Sequence, residues 1–186
     1  HLGCTSVPNR PSPNTNPPSE NDEHLFWAMV NGETNTEEAL QTLRATMGFP
    51  IQTERNTWLF FQPDDNESWR IAGDFSDWTP LEMTQSAAGF WVEIAIDTPQ
   101  GNRYKFVDST GTYSADPNAR SGEYDDYGYF TYVAPPLNAA RLDRFWVPGL
   151  DGQPRIVRVY VPPSPQSQPV LYLHDGQNLF DPQRPW

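Results

Sequence analysis

Between Pro50 and Ala134 the chain repeatedly alternates apolar and polar residues with a period of two, and no other feature limits its fold as strongly. "GFWVEIAID" shows it most clearly: Phe90, Val92, Ile94 and Ile96 fall on one face of an extended segment, with Trp91, Glu93 and Ala95 on the other. Successive side chains of a strand point to opposite faces, so the pattern describes a sheet with one face turned to a core. "TWLFFQ" reads as a strand, "DDNE" as a polar turn and "WRIAGDF" as a second strand. "NRYKFVD" and "GYFTYVA" repeat the pattern on either side of "STGTYSADPNARSGEYDD", whose Gly, Pro, Asn and Asp content gives turns and a long loop. Strands this short and this regularly spaced predict a mainly β chain with a β-sandwich over residues 51–136.

The flanking segments differ in kind. Residues 1–23 include "TSVPNRPSPNTNPPSENDE", which has almost no apolar side chains to repay the entropy of ordering and reads as a Pro/Ser/Asn-rich tether. Within 24–50, "TNTEEALQTLRATMG" predicts one short amphipathic helix. Thr34 stands three residues before Glu37 as a capping box, Ala39, Leu40, Leu43 and Met47 share a face, and Gly48 is the stop. Residues 137–186 open within the punctuating "APPLNAA" and go on to "RLDRFWVPG", a "LDGQ" turn and "RIVRVYVPP", where Ile156, Arg158 and Tyr160 alternate against Val157, Val159 and Val161. Val170, Leu171, Tyr172 and Leu173 are apolar without alternation, as in a strand covered on both faces inside an α/β sheet.

Charge and cysteine content exclude several classes. With 24 acidic and 12 basic side chains the net charge is -12, and the basic residues form no stripe, which argues against nucleic acid or an anionic membrane surface as partner. The single cysteine, Cys4, excludes an internal disulfide, and no apolar run reaches the ~18 residues needed to span a membrane. His174 has no second His or Cys at ligand spacing, and "PDDNE" and "EYDD" lack the regular spacing of a calcium loop, so neither a metal site nor a cofactor is expected.

"GDFSDW" at 73–78, "GFWVEI" at 89–94, "NRYKFV" at 102–107 and "DP" at 116–117 together resemble the family-48 carbohydrate-binding modules, early-set immunoglobulin-like domains that include the glycogen-binding domains. "RIVRVYVPP" followed by "VLYLHDGQNLFD" resembles the opening strands of the esterase family that includes the enterochelin and feruloyl esterases, which have an α/β-hydrolase fold. The pair of resemblances implies the front part of a bacterial serine esterase acting on carboxylic esters: an immunoglobulin-like β-sandwich followed by the first strands of a truncated α/β-hydrolase domain. Siderophore esters and acylated sugars are the substrates such a family suggests. The family's nucleophile sits on a G-x-S-x-G elbow that this sequence does not contain, so the chain alone is expected to be inactive and to take the remainder of the catalytic domain as its partner.

The same resemblance assigns residue roles. His174 and Asp175 fall in the loop after the third hydrolase strand, where Gly176 or Gln177 would supply a backbone N–H to an oxyanion hole. Read without its neighbours, "HDG" is an ordinary turn. In the sandwich, Trp78 and Lys105 match carbohydrate-contacting positions, and Tyr113 stands where the family has a second tryptophan. The family's polar contacts from the last strand would fall near Tyr129 and Thr131, in place of its asparagine. Two readings follow: an oligosaccharide site for α-glucan or xylan, or a sandwich in which Trp78 is packed in the core or against the catalytic domain. "LGC" at the start resembles the end of a bacterial lipoprotein signal, with Cys4 the lipidated residue, although His1 stands where that pattern has an aliphatic one. That resemblance implies a secreted, periplasmic or cell-surface protein that meets a membrane only through a lipid anchor; the alternative is a chance cysteine in a disordered tail.

Overall fold

Two antiparallel sheets and a pair of helices make up the residues that the computed structural model describes, 20–63, 68–149 and 154–163. Helix α1 spans Glu20–Val30 and α2 spans Thr36–Ala45. The cap of α2 is Asn35 rather than Thr34: its backbone is extended, and its side-chain oxygen accepts the Glu38 amide at 3.1 Å, satisfying one of the orphan donors of the first turn. Ala39, Leu40 and Leu43 are buried as expected, whereas Met47 lies beyond the last helical residue and is exposed. Helix α1 begins inside the stretch that reads as tether. Acidic residues Asp22 and Glu23 occupy its N-terminal part, where the helix dipole favours them, and Phe26, Met29 and Val30 bury themselves at i, i+3 and i+4.

The strands are β1 (Ile51–Gln52), β2 (Thr57–Gln62), β3 (Trp69–Gly73), β4 (Leu81–Glu82), β5 (Thr84–Gln85), β6 (Phe90–Ala95), β7 (Arg103–Asp108), β8 (Tyr113–Ser114), β9 (Ser121–Asp125), β10 (Gly128–Tyr132), β11 (Arg141–Pro148) and β12 (Pro154–Val161). The smaller sheet runs β1-β2-β6-β5; the larger runs β12-β11-β9-β10-β7-β3-β4, with β8 added alongside β7. Trp58, Phe60 and Phe90 from the smaller sheet meet Trp69, Ile71, Tyr104 and Phe106 from the larger in one core. On its other face the smaller sheet places Leu59 and Phe61 against Phe26, Met29, Leu40 and Leu43 of the helices. Helices, smaller sheet and larger sheet therefore stack as three layers, which explains why β2 is apolar at nearly every position: both its faces are covered. Trp91, on the polar side of the β6 alternation, is covered too, edge-on to Trp27 at 4.9 Å.

Strand β11 belongs to the larger sheet, pairing Leu142 with Gly122 and Asp143 with Ser121, and β12 pairs along its other side. Gly122 is required here because a Cβ would collide with the Phe130 carbonyl oxygen and with the Tyr129 ring. A buried polar cluster holds the joint. Asp116, fully inaccessible, accepts the Tyr104 hydroxyl at 2.7 Å and the Asn118 amide at 2.6 Å, while its own carbonyl oxygen accepts from Arg144 of β11 at 2.7 Å. Arg44 of α2 donates to the Asn118 side chain at 2.8 Å, so the helix layer and the larger sheet converge on the "DPNA" turn. No helix among the described residues is long and apolar enough to cross a membrane.

Candidate binding face

Tyr104 and Phe106 point into the core, so Arg103, Lys105 and Val107 occupy the outer face of β7, the side of the larger sheet away from both other layers. Register fixes their neighbours: Tyr113 lies directly opposite Val107, Tyr132 opposite Arg103 and Ala72 opposite Lys105. Residues directly opposite share a face, which brings Tyr113 and Lys105 together as the sequence motifs suggest. Tyr113 is 45% exposed.

Trp78 reaches the same face from the "GDFSDW" loop. After β3 the chain makes a single 3-10 turn at Asp74–Ser76, and Ser76 Oγ bonds both the amide and the carbonyl of Gly73. Gly73 is needed for close approach, since a Cβ there would strike the Arg103 carbonyl oxygen. Phe75 turns inward onto Phe60, whereas Trp78 is half-buried and belongs to neither core cluster. Its ring lies 6.5 Å from that of Tyr113 with 45° between their planes, so the two form an angled pair.

Polar groups edge this pair. Arg103 donates from Nε to Asp74 Oδ2 and from Nη2 to Oδ1, both at 3.1 Å, and stands 3.9 Å from Asp125. That hydrogen-bonded pairing raises the Arg103 pKa. Burial works to lift the Asp74 carboxyl, but the side chain and amide of Arg103 and the Trp78 indole outweigh it and hold the pKa below its ordinary value. The largely buried Lys105 donates from Nζ to the Tyr127 carbonyl oxygen at 3.0 Å, and burial lowers its pKa. Tyr132 donates to Glu123 at 2.8 Å; burial first, then the carboxylate, raises its pKa. The face thus offers aromatic surface with directed hydrogen bonds at its rim.

The structure places Trp78, Tyr113 and Lys105 on one face, but the β10 residues expected to join them point the other way. Thr131 donates to the Tyr104 carbonyl oxygen at 2.9 Å and is inaccessible, and Tyr129 lies on the inner side against Tyr124 and under Arg144. The outward side chains of β10 are Phe130 and Tyr132, because pairing of Thr131 with Tyr104 sets the parity of the strand. Arg103, Asp74 and Tyr132 were not legible as site residues, since their association depends on register. Tyr127, 87% exposed at the β9–β10 tip, follows Asp125 and Asp126 and was detectable only as a large aromatic in a turn.

Cys4 and the segment His174, Asp175, Gly176 and Gln177 lie outside the described residues. His24, the one histidine among the described residues, is on α1, remote in layer from this face, so the face assembles no acyl-transfer triad. No protein-family model matches the chain, and no curated protein matches it.

Proposed function

We propose that the chain is a non-catalytic module whose outer face binds an uncharged oligosaccharide. The angled Trp78–Tyr113 pair carries this reading. A flat aromatic ring receives the apolar C–H face of a sugar, and hydrogen-bonding groups at its rim receive the hydroxyls. Two rings inclined by 45° suit a chain that curves between successive sugars, which favours α-glucan over the flatter ribbon of xylan. Calorimetric titration of wild type and Trp78→Ala with maltoheptaose and xylohexaose tests the proposal. Binding of the α-glucan that is lost in a normally folded Trp78→Ala protein is the expected result; heat uptake identical in the two proteins, or none in either, would refute it.

A second reading rests on the opposite end of the same sheet. Among the described residues strand β12 is an edge, and Ile156, Val157 and Val159 are exposed along it. An open apolar edge is a template for another strand, which fits attachment of this module to the catalytic domain of a carboxylic ester hydrolase of the enterochelin and feruloyl esterase type. In that setting the sandwich docks on or shapes the catalytic domain, and the "LGC" segment would place the protein at a bacterial surface or in the periplasm. The two readings use different faces and are compatible. Hydrolysis of p-nitrophenyl acetate by this chain alone, abolished by a serine-directed inhibitor, would contradict its non-catalytic role.

A further inference from the structure

The "GDFSDW" loop holds Trp78 in an unusual way. Asp77 and Trp78 have φ values of 48° and 59°, two successive non-glycine residues in the left-handed region, a conformation that persists only where surrounding bonds impose it. Two backbone bonds do part of this: the Trp78 amide donates to the Gly73 carbonyl oxygen and the Thr79 amide to that of Ser76, both at 2.9 Å. Neither constrains the indole, which stands on the outside of a sheet with packing on only part of its surface. The ring is fixed by its edge, through an Nε1–H donated to Asp74 Oδ1 at 2.9 Å. Asp74 is itself immobilised, because Arg103 donates to it from the backbone amide at 2.8 Å and from two guanidinium nitrogens. The same guanidinium lies 5.9 Å from the centre of the Trp78 ring.

We infer that Asp74 is a positioning residue for Trp78, its carboxylate joining the indole edge to Arg103 so that the aromatic platform is set before any ligand arrives. The ligand-binding consequence rests on the oligosaccharide reading above; the positioning itself does not. A ring held in its bound orientation costs less to immobilise on association, so loss of the clamp appears as weaker affinity with the stacking surface still present.

The test uses protein labelled with 5-fluorotryptophan, with Trp78→Phe assigning the Trp78 fluorine signal. In Asp74→Ala that signal should move and broaden while those of the other tryptophans stay in place. Maltoheptaose affinity should fall about tenfold, the factor equivalent to ~1.4 kcal/mol. Asp74→Asn retains an acceptor for the indole, and should restore the fluorine position and much of the affinity. An unmoved Trp78 signal in Asp74→Ala overturns the inference, as does a change shared by all the tryptophans, which would mark Asp74 as a general support of the fold. If the alanine variant fails to fold, the asparagine variant decides: a displaced Trp78 signal there, with the acceptor kept, also contradicts the assignment. A wild type that binds no oligosaccharide tells against the functional reading alone, because the fluorine measurement still reports on the clamp.

Discussion

Asp116 is a carboxyl group without contact with solvent, and burial pushes its pKa up to about 6 despite the hydrogen bonds it accepts. The groups facing it are the Tyr104 hydroxyl, the amides of Asn118 and Ala119, and the Arg144 guanidinium. Because the folded carboxyl holds its proton more tightly than the unfolded one, its contribution to stability is greatest below the ordinary carboxylate pKa and is lost as pH rises through about 6. The swing is about 3 kcal/mol. Asp116→Asn should abolish that swing: urea midpoints of wild type and variant, compared at about pH 5 and about pH 7.5, should diverge in a pH-dependent way. A constant offset would show that the carboxyl does not titrate in this range. Trp78 represents the other kind of residue. It lies outside both core clusters, so Trp78→Ala should shift the denaturation midpoint little, whereas Phe60→Ala, between the sheets, should cost about 3 to 5 kcal/mol.

Secondary structure elements differ in how legible they were. Strands β6, β7 and β10 follow from alternation, and α2 from its apolar face, because those segments carry one or more full periods, whereas β2 reads as a short apolar run bounded by polar residues. The two-residue strands β1, β4, β5 and β8 have no period to read and exist through their partners. In α1 the run Leu25 to Val30 is apolar without a break, since Phe26 and Met29 enter the core while Leu25 and Trp27 pack at its margin, so the contrast that marks an amphipathic helix is absent. Trp78, Tyr113 and Lys105 came from a motif resemblance, whereas the Asp74–Arg103 pair, 29 positions apart, is created only by folding. Two outcomes belong at this scale. Arg120 donates to the carbonyl oxygen of Arg44 in the last turn of α2 and to those of Thr46 and Met47 just beyond it, so Arg120→Ala should lower stability by about 2 kcal/mol and speed amide exchange in that helix before the sheets. Unchanged exchange in α2 would remove Arg120 from that role. Val157→Lys on the β12 edge should reduce self-association measured by light scattering without altering the fold, and undiminished association would locate the sticky surface elsewhere.

At the scale of the whole molecule, the layers divide the surface by task. The helices close one side of the smaller sheet, the two sheets share the main core, and the outer face of the larger sheet carries the Trp78–Tyr113 pair while β12 forms its edge among the described residues. A net charge of -12 on the full chain is consistent with an uncharged ligand and opposes an acidic one. The central claim is that this outer face is where an oligosaccharide sits. The indole N–H resonances test it most directly, because the tryptophans of the described residues are distributed over the layers: Trp27 on a helix, Trp58 and Trp91 on the smaller sheet, Trp69 and Trp146 on the larger and Trp78 on the outer face. On titration with maltoheptaose, the Trp78 indole signal should shift progressively to saturation while those of Trp27, Trp58, Trp69 and Trp91 remain fixed. A Trp78 signal that stays in place at high ligand concentration, or shifts confined to the helical side, would contradict the claim.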